Sequence, residues 1–108
     1  MKLLTSEILK KLPGIGATSE MEAKDVKVPL KVFNPTGAGT WYITEYDPAT
    51  GEAFGYANIS GPDFAELGYM DMNELQNFRG RFGMGLERDA HFGFNHTLEE
   101  VMDSRGTI

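Results

Sequence analysis

The run Thr40-Trp41-Tyr42-Ile43-Thr44-Glu45-Tyr46, with Asp47-Pro48-Ala49-Thr50-Gly51 directly behind it, constrains the fold more than any other segment. The heptapeptide is dense in aromatic and β-branched residues, which suit a pleated surface. The pentapeptide is turn chemistry: proline presets the second position of a type I turn, and glycine supplies a left-handed one. A return strand over 52–59 completes a β-hairpin. If Asp47 and Glu52 close a four-residue loop, Tyr46 faces Ala53, Glu45 faces Phe54, Thr44 faces Gly55, Ile43 faces Tyr56, Tyr42 faces Ala57 and Trp41 faces Asn58. That register sends Trp41, Ile43, Phe54 and Tyr56 to one side, the expected core. Tyr42, Thr44 and Tyr46 share the other side with Ala53, Gly55 and Ala57. This second face is either solvated or covered by a helix that uses the small residues for close approach.

Around the hairpin, local signals place the remaining elements. Thr5 or Ser6 caps a short amphipathic helix with Leu4, Ile8, Leu9 and Leu12 on one stripe and Pro13-Gly14 as its stop. Residues 15–25 are small, polar or charged and read as the most mobile loop. Val26, Val28, Leu30 and Val32 alternate with other residues as in a strand, and Pro29 assigns that strand to a sheet edge. Leu67 to Met70 reads as a fourth strand. Asp71-Met72-Asn73-Glu74 has the form of a capping box opening a helix that Gly80 ends. Residues 86–92 read as a fifth strand, and Thr97-Leu98-Glu99-Glu100 opens a C-terminal helix to about Ser104, leaving 104–108 as a frayed tail. The links between the first three strands are too short for parallel crossovers. The expected fold is therefore α+β: an antiparallel sheet of four to five strands, packed with an N-terminal helix, a middle helix and a short C-terminal helix. A chain of 108 residues carries one such domain, 1–108.

Charge is distributed unevenly. All six lysines lie at or before Lys31 and all four arginines at or after Arg79; from Thr40 onward twelve acids face four arginines, a formal charge of −8. Such a skew governs which partners approach and how fast, rather than fold. It argues against binding free nucleic acid or an anionic membrane, both of which need a basic surface. Cysteine is absent, so no disulfide, thiolate metal site or cysteine nucleophile is available. Thr5, Ser6, Glu7, Lys10 and Lys11 interrupt the apolar start before it can act as a signal peptide, and no segment nears the ~20 apolar residues that span a bilayer. The expected location is the cytoplasm.

The candidate chemistry is sparse. His91 and His96, with Glu87 and Asp89 nearby, contain donors for zinc or a redox metal. Their spacing fits neither one helix face nor alternate strand positions, and they read as surface histidines. Glu87-Arg88-Asp89 reads as an ion-paired strand end whose arginine pins a neighbouring loop or helix terminus. Gly14-Ile15-Gly16, Gly37-Ala38-Gly39 and Gly80-Arg81-Phe82-Gly83-Met84-Gly85 lack the strand-to-helix setting of phosphate loops. No serine-nucleophile elbow, zinc-protease helix or calcium loop is present. No catalytic residue, metal ligand or cofactor is therefore assigned. The remaining candidate is a protein-binding surface: Tyr42 and Tyr46 on the outer hairpin face, Asp47 and Glu52 at its turn, and Asp63 and Glu66 in the next loop. Tyrosine anchors interfaces, and a concentrated acidic field speeds encounter with a basic partner.

The Leu3-Leu4-Thr5 start with Ile8 to Pro13, the Trp41 to Asp47 strand, the Phe54-Gly55-Tyr56 return, Glu66-Leu67-Gly68-Tyr69 and Leu86-Glu87-Arg88-Asp89 resemble, in this order and spacing, an uncharacterised family of small domains. Members of that family are carried mainly by plasmids, integrative elements and phages, and some are joined to antirestriction-type proteins. The resemblance spans about residues 3 to 100 and transfers no catalytic role. It implies a setting in which a small acidic, non-enzymatic protein blocks a host defence protein by occupying its basic nucleic-acid-binding surface, as an anti-CRISPR or antirestriction inhibitor does. Two other readings stand beside it: a small enzyme or ligand-binding domain using His91, His96, Glu87 and Asp89, with or without a metal, and an accessory module without independent activity.

Overall fold

The hairpin forms, with one change of phase. In the computed structural model, which describes residues 1–108, β2 (Thr40–Tyr46) and β3 (Glu52–Asn58) pair antiparallel. At the turn end Tyr46 lies opposite Ala53 and Glu45 opposite Phe54, as the sequence register has it. Between Glu45 and Ile43 the ladder shifts, and Ile43, Tyr42 and Trp41 then oppose Gly55, Tyr56 and Ala57. Thr44 is the extra residue of a β-bulge; it is buried, and its hydroxyl donates to the Phe54 carbonyl at 3.1 Å. The crossing strand must give way at this point, and Gly55 does. A Cβ there would stand 1.9 Å from the Tyr42 carbonyl oxygen.

A one-residue slip moves side chains to the opposite face, so the bulge corrects the expected sorting. Trp41 and Ile43 stay together but face Ala53, while Tyr42 joins Tyr56 and Phe54 on the other side. Both faces are covered. One carries Leu3, Ile8, Leu30, Val32, Ile43, Ala53, Met72 and Leu86, all buried, with Trp41 and Tyr46 partly buried against them. The other carries Val26, Val28, Tyr42, Tyr56, Phe92, Leu98 and Val101. Ala53, the small residue on the first face, packs with the helical residues Ile8 and Met72.

Five strands complete the sheet in the order β4-β3-β2-β1-β5, every pair antiparallel, with β1 at Leu30–Phe33, β4 at Glu66–Asp71 and β5 at Glu87–Arg88. The α+β architecture is thus as the sequence predicts. The edge assignment of the first strand is not: β1 is flanked by both β2 and β5. Pro29 is accommodated because it lies just outside the ladder. Before it, Lys27 bridges Thr97, and the Val28 amide donates to the His96 carbonyl at 3.0 Å. Val26 and Val28 thereby enter one layer, whereas Leu30 and Val32 enter the other.

Three short helices supply the layers: α1 (Ser6–Lys11), α2 (Met72–Asn77) and α3 (Leu98–Asp103). Six residues make a marginal helix alone, so capping and packing hold each one. The Thr5 hydroxyl accepts from the Ile8 amide at 3.2 Å, Asp71 accepts from the Asn73 amide at 2.8 Å, and Thr97 with Glu100 forms a complete capping box. α2 stops before Phe78, short of Gly80, and β5 is two residues rather than seven because Phe92 turns into the α3 layer.

Two segments read as loose are tied down. Residues 14–21 fold as successive turns, and the buried Glu45 carboxylate accepts the Gly16 amide at 2.8 Å, the Thr18 amide at 2.9 Å and the Thr18 hydroxyl. After α3, Gly106 adopts a left-handed φ of 73° and bonds back to the Val101 carbonyl, and the Tyr42 hydroxyl donates to the Ile108 carbonyl at 2.6 Å. The radius of gyration, 12.9 Å, matches the ~13 Å of a close-packed domain this size.

Candidate functional site

The six residues expected to form a binding surface divide into four situations. Tyr42 is fully buried, with its ring 5.8 Å from that of Phe92; the expectation of an exposed anchor is wrong because the bulge turns this residue into the α3 layer. Burial, with the negative charge of Asp89 nearby, raises its hydroxyl pKa to about 12. Tyr46 is half-buried against the aliphatic layer. Asp47 organises the turn, one oxygen accepting from the Ala49 amide at 2.9 Å and the other from the Thr50 hydroxyl at 3.1 Å. Glu52, Asp63 and Glu66 are exposed, Asp63 in an ion pair with Arg105 at 3.1 Å.

These acids do not form one patch. Glu52 lies opposite Asp71 and Glu66 opposite Ala57, five positions along the β3–β4 ladder, which is roughly 17 Å. The turn end gathers a different set: Glu52, Asp71 and Glu74 line a shallow depression with Thr50, Tyr69 and Met70. Asp71 and Glu74 went unassigned in the sequence because their visible role was to open α2. The absence of any lysine or arginine from residues 32–78 was the available signal. That cation-free segment builds β2, β3, β4 and α2, so three of the five strands carry acids and no cation.

β4 is the open edge of this part of the sheet. The Met72 amide donates to the Gly51 carbonyl at 2.9 Å, which fixes the phase of the strand. Because N–H and C=O directions alternate along a strand, Gly68 and Met70 turn theirs to β3, and Leu67 and Tyr69 turn theirs outward. The side chains of these two are also exposed, Tyr69 to 66%. Tyr69 meets the Phe54 ring edge-on at 5.0 Å. Beside them runs an apolar groove of 350 Å³, lined by Met21, Val26, Phe54, Leu67, Leu98 and Met102 among others. Sequence reading missed it because its walls come from five separate segments.

Lys31 and Asp89 pair at 3.3 Å. Burial pushes the Asp89 carboxyl up, but the His91 amide and Lys31 more than offset it, leaving its pKa below the ordinary range. The Arg88 guanidinium donates to the Lys2 carbonyl, so it pins the N-terminal segment and pairs with neither flanking acid. Lys31, Arg88 and Asp89, with Thr5, Glu7 and Phe94, line a cleft of 420 Å³. His96 stacks on Phe92 at 4.2 Å and bonds Glu100 at 3.1 Å, whereas His91 is exposed. No group of three or more His, Asp or Glu side chains is placed to hold a metal ion. The set His91, His96, Glu87 and Asp89 is therefore not assembled. No helix is long and apolar enough to cross a membrane.

Neither a curated protein nor a solved structure matches the chain. A match does exist at the level of family: residues 3–105 fit the family described as "Protein of unknown function (DUF2958)", to which the chain belongs.

Proposed function

We propose that this domain is a non-enzymatic protein-binding module of the cytoplasm that presents the acidic strands of its sheet to a basic partner. The observation that carries the reading is the cation-free segment 32–78, which places Glu52, Glu66, Asp71 and Glu74 on and around an exposed sheet edge with no lysine or arginine among them. An acidic field on a rigid edge accelerates encounter with a positive surface and repels nucleic acid. The partner class that fits is a host defence protein with a basic nucleic-acid-binding surface, and the setting is a mobile genetic element, where blocking that surface acts as counter-defence in the manner of an anti-CRISPR or antirestriction inhibitor.

The test replaces Glu52, Glu66 and Glu74 with lysine. These three are exposed and no hydrogen bond engages their carboxylates, whereas Asp47 and Asp71 cap local structure. Against a partner recovered from host lysate, the triple variant associates at least tenfold more slowly with dissociation nearly unchanged, since rim charges mainly steer encounter. Nucleic acid competes for the same partner, and association slows as salt shortens the screening length below about 10 Å. Equal association rates for variant and wild type, independent of salt, overturn the reading.

A further inference from the structure

The outward backbone of β4 specifies more than charge. Leu67 and Tyr69 offer two N–H and two C=O groups in one line, about 7 Å apart, the spacing at which an antiparallel strand forms its hydrogen-bonded pairs. Native sheets usually blunt such edges with lysine, proline or a bulge. β4 has none of these and pairs with β3 over all six residues without irregularity. Its charges stand at the two ends, Glu66 and Asp71, leaving Leu67 to Met70 uncharged. A second copy laid along the edge would bring both sets of acids onto a joint six residues long with no cation from either β4, and like charges across strands destabilise pairing. A basic strand meets the opposite situation.

We infer that β4 is a strand-addition site for an extended basic segment of a partner protein, with the Leu67–Tyr69 backbone as its hydrogen-bonding rail. Residues of the segment paired with Leu67 and Tyr69 share their face of the sheet and lie against the apolar groove, so they are apolar; lysine or arginine flanks them where the strand passes Glu66 and Asp71. The inference rests on the proposed acidic-surface function and adds the geometry of recognition.

The probe is a capped peptide, Lys-Thr-Val-Thr-Val-Lys, whose lysines stand opposite Asp71 and Glu66 when its valines pair with Tyr69 and Leu67, with three relatives: N-methylated at both valines, N-methylated at both threonines, and with glutamate for both lysines. The readouts are affinity by NMR titration and amide hydrogen exchange. The parent peptide slows exchange at the Leu67 and Tyr69 amides while leaving Gly68 and Met70 unchanged. Methylation at the valines removes the donors that pair with β4 and weakens binding about tenfold or more; methylation at the threonines, whose N–H groups face away, has little effect. Equal weakening by both methylations without amide protection overturns strand addition and leaves the acidic-surface reading standing. Equal binding of the glutamate peptide, with protection retained, overturns the basic partner and with it the acidic-surface reading. Protection of Leu67 and Tyr69 in the protein alone, dependent on its concentration, overturns the inference in favour of a second copy as occupant.

Discussion

Tyr42 offers the sharpest test of the bulged register. In the regular register its ring would lie on the face opposite Tyr56; in the bulged one it is fully buried, rests against Phe92 and bonds the Ile108 carbonyl through its hydroxyl. Removing the ring leaves a large cavity, and Tyr42→Ala is expected to cost ~3 to 5 kcal/mol, a large share of the ~5 to 15 kcal/mol that holds a domain together. Tyr42→Phe removes only the hydroxyl bond, about 1 kcal/mol. Trp41 is half-buried, and Trp41→Ala is expected to cost less than Tyr42→Ala. Urea unfolding of the three variants measures this order. Titration supplies an independent readout. The Tyr42 hydroxyl ionises near 12 in the folded protein, raised from 10.0 by burial and then by Asp89. A raised folded pKa contributes stability that is fully present below pH 10 and is lost as pH climbs through 12, here roughly 2 to 3 kcal/mol. The tyrosinate absorbance should therefore include a late transition that Tyr42→Phe abolishes. A Tyr42→Ala variant as stable as wild type, or ionisation of Tyr42 at its ordinary value, would refute the bulge and the layer assignment together.

The remaining predictions follow from single contacts. Gly55→Ala should destabilise by about 3 kcal/mol or more, because its Cβ meets backbone that cannot move aside, whereas Gly68→Ala, with open space around it, should fold normally; thermal unfolding compares them. Burial raises the Glu45 carboxyl, but the Thr18 hydroxyl and the Gly16 and Thr18 amides outweigh that and lower its pKa below 4.5, so its contribution is present above pH 4.5 and lost as pH falls through the folded value. Glu45→Gln should flatten that acid limb in pH-dependent unfolding and open residues 14–21 to limited proteolysis. Loss of the Phe92 stack should make His96→Ala measurably less stable while His91→Ala matches wild type; equal effects on melting temperature would contradict the assignment.

What the sequence disclosed was local. The turn chemistry of Asp47 to Gly51, the caps at Thr5, Asp71 and Thr97, and the dense β-formers of 40–46 each act within a few residues and were placed correctly, except that Asp71 caps α2 alone, without the reciprocal Glu74 bond of a capping box. The register of β2 against β3 failed at one residue, since nothing local distinguishes a bulged Thr44 from a paired one; that depends on Gly55, eleven positions away. Pro29 misled for a related reason: the rule that confines proline to edges presumes it lies in the ladder. The acidic character of the candidate surface was legible from the missing lysines and arginines, but its grouping was not. Glu52 joins Asp71 and Glu74 through strand pairing, while Asp63 and Glu66 are carried to the far end of the same strands.

The bulge also couples chain length to residue identity. Removing Thr44 would leave Glu45 opposite Phe54 and Ile43 opposite Gly55, so every other β2 side chain would keep its face and the ladder would become regular. In that shortened strand the Tyr42 carbonyl no longer needs to be pressed against position 55, and an alanine there becomes admissible. The two changes are thus epistatic: Gly55→Ala is ruinous in the full-length strand, and loss of Thr44 is what licenses it. Among descendants of this chain, the glycine and the extra residue should persist together or disappear together.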